Sequence, residues 1–148
     1  MRASVAALPP GEQRALAALG DAQIGAAVGT LLRRPQDPQS VARLARASHM
    51  SRSAFAARFT AAVGLPPLRF QLERRMRCAS ALLRESAIGL KAIADAIGYR
   101  SMPSFSHAFK RWAGIAPGEF RRGGRPCGSI AVLAAPREAE RSRGAALP

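Results

Sequence analysis

Apolar positions recur at helical spacing through most of this chain, and the breaks between them fall at serine, glycine and proline. Asp21 is a good N-cap for a first helix in which Ile24, Ala27, Val28, Leu31 and Leu32 form an apolar stripe, stopped by Pro35. Gly25 and Gly29 lie four apart in that stripe and predict close helix packing. Ser40 caps a short helix running to Ser48, and His49 and Met50 make a turn. Ser51 then caps a helix that buries Phe55, Phe59 and Ala62 before Gly64 ends it. A helix, a tight turn and a second helix are the signature of a helix-turn-helix.

The longest helical pattern runs from Pro67 to Glu85. It turns Leu68, Leu72, Met76, Ala79, Leu82 and Leu83 inward, and Arg69, Glu73, Arg74, Arg77 and Arg84 mostly outward. Pro67 suits its first turn. Leu90 to Ile97 forms another short helix, Gly98 and Tyr99 another turn, and Ser101 to Arg111 another helix, closed by Gly114. Pro103 falls in the first turn of that helix, where a missing N–H costs little.

The chain has therefore repeated itself. Val41, Leu44, Ala45, His49 and Met50 match Leu90, Ile93, Ala94, Gly98 and Tyr99 at an offset of 49. Ser51, Phe55, Phe59, Gly64, Pro67 and Phe70 match Ser101, Phe105, Phe109, Gly114, Pro117 and Phe120 at an offset of 50. Each position of this second set has a physical role, in order a cap, two core residues, a helix stop, the start of the next helix and an anchor that docks that helix.

The expected fold class is all-α, with two helix-turn-helix subdomains joined by a long connecting helix. Residues 1–20 are expected to be an N-terminal linker or extension, and 21–122 the domain. Within it, the first helix-turn-helix spans about 41–63, the connecting helix about 67–85, the second helix-turn-helix about 90–113 and a closing helix about 117–122. Residues 123–148 carry Gly-Gly, three prolines and mixed charges, and are expected to form a disordered tail in which Ile130 to Leu133 makes a short strand or docks weakly.

Composition adds a partner. The 148 residues, 48% of them hydrophobic, can bury one modest core. Against 9 acidic residues stand 23 basic ones, giving a net charge of +14, the balance of a chain that meets a polyanion. Only Lys91 and Lys110 among them are lysines, which an arginine-rich proteome would also produce. The charge is clustered, however, with 17 basic and 5 acidic residues between Arg33 and Arg122. Cys78 and Cys127 have neither CxxC spacing nor neighbouring histidines, so no zinc site or disulfide scaffold is signalled and a reducing cytosol fits. No signal peptide or apolar span points to a membrane. No catalytic constellation is present, so neither an enzyme nor a cofactor is expected.

In a helix-turn-helix the second helix lies in the major groove, with base contacts from its outward residues and phosphate contacts from flanking groups. With Phe105, Phe109 and Trp112 inward, the second copy turns out Pro103, Ser106, His107 and Lys110, flanked by Ser104 and Arg111. Ser106, His107 and Lys110 are its expected base contacts, since lysine can donate to guanine O6 and N7 and histidine can do so less specifically. Ser104 and Arg111 are assigned to phosphates. The first copy turns out Ser53, Ala56, Ala57 and Thr60 toward bases, with Arg52 and Arg58 on phosphates. None of those four is a bidentate reader; alanine can only touch a thymine methyl. A 19-residue connecting helix rises roughly 28 Å, against about 34 Å between successive major grooves on one face of DNA, so one chain could place both recognition helices.

These residues resemble the AraC/XylS family of bacterial transcription regulators over about Asp21 to Arg122. The stretches from Leu44 to Phe59 and from Ile93 to Arg111 are similar to its two motifs. Gly114-Ile-Ala-Pro-Gly-Glu-Phe-Arg121 is similar to its closing signature, G-x-x-P-x-x-[YF]-R. The resemblance implies an all-helical module that binds double-stranded promoter DNA asymmetrically as a monomeric unit in the bacterial cytoplasm, at the nucleoid, with RNA polymerase as a candidate second partner. It also implies that most members carry a separate sensory or dimerising domain, so a small-molecule effector is not expected to bind within this chain. The chain is then a short stand-alone regulator or a fragment of a longer one.

Three features depart from the family pattern: His49 stands at a turn position usually held by glycine, Ala57 where arginine is frequent, and Met102 and Pro103 where a polar pair is common. Competing expectations are a nucleoid-type or RNA-coating binder that uses charge alone, and a folded remnant without a target.

Overall fold

A computed structural model describes residues 8–123, and these are helical with no strand among them. Eight helices follow in order: α1 Pro10–Ala18, α2 Gly25–Arg33, α3 Val41–Ala47, α4 Arg52–Val63, α5 Pro67–Glu85, α6 Leu90–Ala96, α7 Met102–Ala113 and α8 Pro117–Arg121. They divide into two compact units, with the boundary between Arg75 and Met76, inside α5.

In the first unit, α1 packs on α2 and α4, and α3 packs on α4. The core joins Ala15, Ile24, Val28, Leu31, Leu44, Phe55, Phe59, Val63 and Phe70. Burying a side chain of phenylalanine or leucine size stabilises by about 1.5–3 kcal/mol, so these few residues supply most of the unit's driving force. Gly25 is needed for close approach: a side chain there would collide with the carbonyl oxygen of Leu19. Gly25 makes this approach alone: a side chain at Gly29 would meet Arg33 of the same helix, so the spacing predicts more helix packing than the pair provides.

The N-terminal stretch differs from expectation. Residues 10–18, expected to belong to a linker, form α1, which starts at Pro10 and buries Ala15 and Ala18. Its buried face is made of alanines, whose small side chains leave little periodic signal, and Pro9-Pro10 opens the helix where proline is tolerated. Glu12 on α1 pairs with Arg74 at 3.1 Å.

A second correction concerns α5. Leu68, expected inward, is 53% exposed, while Phe70, Gln71, Glu73 and Arg75 are buried. Arg74, expected outward, lies mostly inside and donates to the Leu32 carbonyl at 3.1 Å, satisfying an acceptor at the end of α2. Glu73 is paired with Arg69 at 3.2 Å. Polar burial of this kind is invisible to a hydrophobic stripe, because the partners that draw such groups inward lie elsewhere in the chain.

In the second unit the buried residues include Met76, Ala79, Leu83, Ile93, Ile97, Phe105, Phe109, Ile115 and Phe120. Arg121 donates to the carbonyls of Leu83 and Ser86 at 3.2 and 3.3 Å, tying α8 to the C-terminal end of α5. The residues expected to form a disordered tail lie outside the described residues, apart from Gly123.

Candidate nucleic-acid interface

The duplication extends to individual bonds. Ser51 Oγ accepts from the Ala54 N–H, and Ser101 Oγ from the Ser104 N–H, each at 3.2 Å. The turn between the paired helices is closed by Met50 N–H to Ala45 in one copy and by Tyr99 N–H to Ala94 in the other, both at 2.9 Å. Gly64 and Gly114 end α4 and α7 at φ 87° and 84°, and each N–H reaches the carbonyl four residues back at 2.8 Å. Phe59 and Phe70 meet edge to face at 5.6 Å between centroids, and Phe109 and Phe120 at 5.2 Å. His49 adopts φ 55° where its counterpart Gly98 has φ 83°. His49 thus takes the left-handed backbone at the turn position where glycine is usual.

Because the same inward phenylalanines clamp both second helices, the outward faces follow. On α4, Arg52, Ser53, Ala57 and Arg58 are exposed, and Ala56 and Thr60 are half-buried. The Thr60 hydroxyl donates to the Ala56 carbonyl at 2.7 Å, which partly satisfies it within its own helix. On α7, Met102, Pro103, Ser104, His107, Lys110 and Arg111 are exposed and Ser106 is half-buried. The Ser101 hydroxyl donates to the Ser104 hydroxyl at 2.9 Å. Each unit thus gathers its own set of candidate residues on one helix.

Arg58 has an internal partner. Its Nη2 lies 2.9 Å from Asp21 Oδ2, while Asp21 Oδ1 accepts from the N–H groups of Gln23 and Ile24 at 2.8 and 3.1 Å. The Gln23 and Ile24 N–H groups, then Arg58, hold the Asp21 carboxyl below the usual aspartate range. One carboxylate therefore holds the turn before α2 and an arginine of α4; it is not the helix cap itself, since α2 starts at Gly25 with Ile24 at its N-cap and no side-chain cap. Sequence reasoning places the helix start too early, at Asp21, and does not find the pair with Arg58, which joins residues 37 apart.

A basic cleft in the first unit also escapes sequence reasoning. It is lined by Thr30, Arg33, Arg34, Asp37, Gln39 and Arg43. The adjacent Arg33-Arg34 pair is its available signal. Among the described residues no cluster of three or more His, Cys, Asp or Glu side chains could hold a metal ion, and no helix is long and apolar enough to cross a membrane.

Comparison with known proteins matches this geometry. A family model described as a helix-turn-helix domain matches residues 44–123. A protein described as a putative AraC-like transcription regulator of Streptomyces antibioticus is 42% identical over 107 residues, 72% of this chain and 35% of that protein. The RCS-specific transcriptional activator RclR of Escherichia coli is 34% identical over 110 residues, 74% of this chain and 39% of that protein. The chain thus spans little more than a third of the length of these relatives. Among solved structures, the DNA-binding domain of the global transcriptional factor AdpA, in complex with a target DNA, superposes with a TM-score of 0.63 at 29% identity. That match covers 72% of this chain and 98% of the AdpA domain. An AraC-type regulator from Chromobacterium violaceum gives a TM-score of 0.60 at 26% identity, covering 72% of this chain and 95% of that one. These relatives and this fold are those of regulators and not of enzymes. With two copies of one helix-turn-helix, the closing Arg121 signature and these matches in hand, the chain belongs to the AraC/XylS family and carries its DNA-binding domain.

Proposed function

We propose that the chain is a sequence-specific transcription regulator that inserts α4 and α7 into successive major grooves of promoter DNA. The observation that carries this reading is the bond-for-bond repetition of cap, turn, phenylalanine clamp and glycine stop in both units, since it presents two equivalent helices by their outward faces. The AdpA domain bound to its target DNA supports DNA as the partner.

The two helices contribute unequally. Ser106, His107 and Lys110 on α7 read base edges, Lys110 and His107 as donors to guanine. Ser104 and Arg111 hold phosphates. On α4, Ser53, Ala56, Ala57 and Thr60 approach the bases closely but discriminate little, and Arg52 and Arg58 serve the backbone, Arg58 from within its pair with Asp21. RNA polymerase is a second partner, and the nucleoid of the cytoplasm the place of work.

The test is selection of a preferred duplex from a random-sequence library, followed by competition at physiological salt. The preferred duplex should outcompete bulk DNA by about 10³-fold or more. Equal competition by all duplexes would overturn the reading in favour of a binder that uses charge alone.

A further inference from the structure

We infer that the basic cleft between the end of α2 and the start of α3 is a clamp for a DNA backbone phosphodiester beside the first recognition helix. The inference rests on the DNA-binding reading above and assigns residues outside both recognition helices.

Six polar side chains line the cleft: Thr30, Arg33, Arg34, Asp37, Gln39 and Arg43. Pockets for organic ligands are lined mainly by apolar and aromatic groups, and none is here, so the lining suits an anion. Arg34 is 3.9 Å from Asp37, with both side chains at least half exposed, a weak pairing. Neither Arg33 nor Arg43 has an acidic partner among the described residues. Five N–H donors in a planar fork match the oxygens of a phosphate.

The cleft is also built. Gly29 makes room for Arg33: a Cβ at Gly29 would stand 3.1 Å from Arg33 Nη1, so the guanidinium folds back over the bare helix surface. The loop between α2 and α3 is fixed by Gln71, whose side chain accepts from the Gln39 N–H and donates to the Gln39 carbonyl, each at 2.8 Å. Arg43 stands in the first turn of α3, held by its own N–H to Ser40 Oγ at 3.1 Å. In a helix-turn-helix the first helix crosses the DNA backbone, which puts phosphates, and not bases, before this end of α3. The alanine-rich face of α4 leaves the first half-site dependent on such contacts, which add affinity without sequence information.

The experiment measures binding of the full chain to a mixed-sequence 30-base-pair duplex by fluorescence anisotropy between 50 and 200 mM salt. Each lost phosphate contact flattens the slope of log K against log salt by about 0.9. Arg33→Ala with Arg43→Ala should flatten it by about 1.8, removing about a 12-fold share of the salt effect across that range. Asp37→Asn, which frees Arg34, should steepen the slope by up to about 0.9. The Lys91→Ala, Arg122→Ala double variant, matched in charge but outside the cleft, should change it less. An unchanged slope in the cleft variant, or equal flattening in the matched control, overturns the clamp while leaving DNA binding intact. Failure of the unsubstituted chain to bind any duplex would instead defeat the DNA-binding reading itself. Saturable binding of inorganic phosphate alone at micromolar concentration, lost in the cleft variant, would assign the cleft to a free anion and overturn the backbone assignment.

Discussion

Lys110 and His107 stand one helical turn apart on the exposed face of α7, while Arg52 stands at the first position of α4. A side chain that reads a base edge acts on some sequences only; one that meets a phosphate acts on all of them. Lys110→Ala and His107→Ala are therefore expected to change which duplexes are preferred. Arg52→Ala should lower affinity by a similar factor on every duplex and flatten the salt slope by about one. Uniform losses from all three, measured on a panel of related duplexes, would remove the distinction between reader and anchor.

Asp21 gives a different kind of residue-scale prediction. Its carboxyl is held below the usual range by the Gln23 and Ile24 N–H groups and Arg58, so the folded state favours the charged form. The stabilisation is then complete above the unfolded value of about 3.9 and is lost as pH falls through the lower folded value. Unfolding experiments across the acid range should show Asp21→Asn less stable than the parent near neutral pH, with the gap closing in acid. A gap that stays constant with pH would mean that the carboxylate's charge has no part in holding α2 and α4.

At the scale of elements, the paired turns offer an internal comparison, because His49 and Gly98 do the same work at φ 55° and 83°. A left-handed conformation costs an L-residue roughly 1–2 kcal/mol, and glycine in the unfolded chain gives back about 0.5–1 kcal/mol of that advantage. His49→Gly should thus raise stability by roughly 0.5 kcal/mol, and Gly98→Ala should lower it by about 1 kcal/mol. Thermal melts of the two variants moving in the same direction would count against turn strain as the cause. In the cores, Phe59→Ala and Phe109→Ala should each cost about 3–5 kcal/mol in denaturant unfolding, since each ring meets at least two other aromatic rings.

The same comparison explains what the sequence makes legible. Caps, phenylalanine pairs and glycine stops are local signals, and Ser51, Phe55, Phe59 and Gly64 repeat at Ser101, Phe105, Phe109 and Gly114 with their bonds intact. Features closed by distant partners are not local. Helix α1 hides behind alanines, Arg74 is drawn inward by Glu12 and the Leu32 carbonyl, and Arg58 is held by Asp21. Leu68 reads as core because it is apolar, yet Phe70 takes that role once Pro67 sets where α5 begins. The candidate base-facing residues are legible as positions on a helix; the arginine cleft is not, because Arg33 and Arg43 meet only through the fold.

At the scale of the whole molecule, the excess of arginine supplies a charge that any duplex would feel, and the proposed insertion of both recognition helices is what would make the chain prefer one. We propose that a single chain uses both recognition helices at once. Dimethyl sulfate interference on the selected duplex, read at guanine N7 in the major groove, tests it most directly. Two windows of interference about 10–10.5 base pairs apart are expected, with Lys110→Ala abolishing only one of them. A single window, or two that vanish together with Lys110, would contradict the claim.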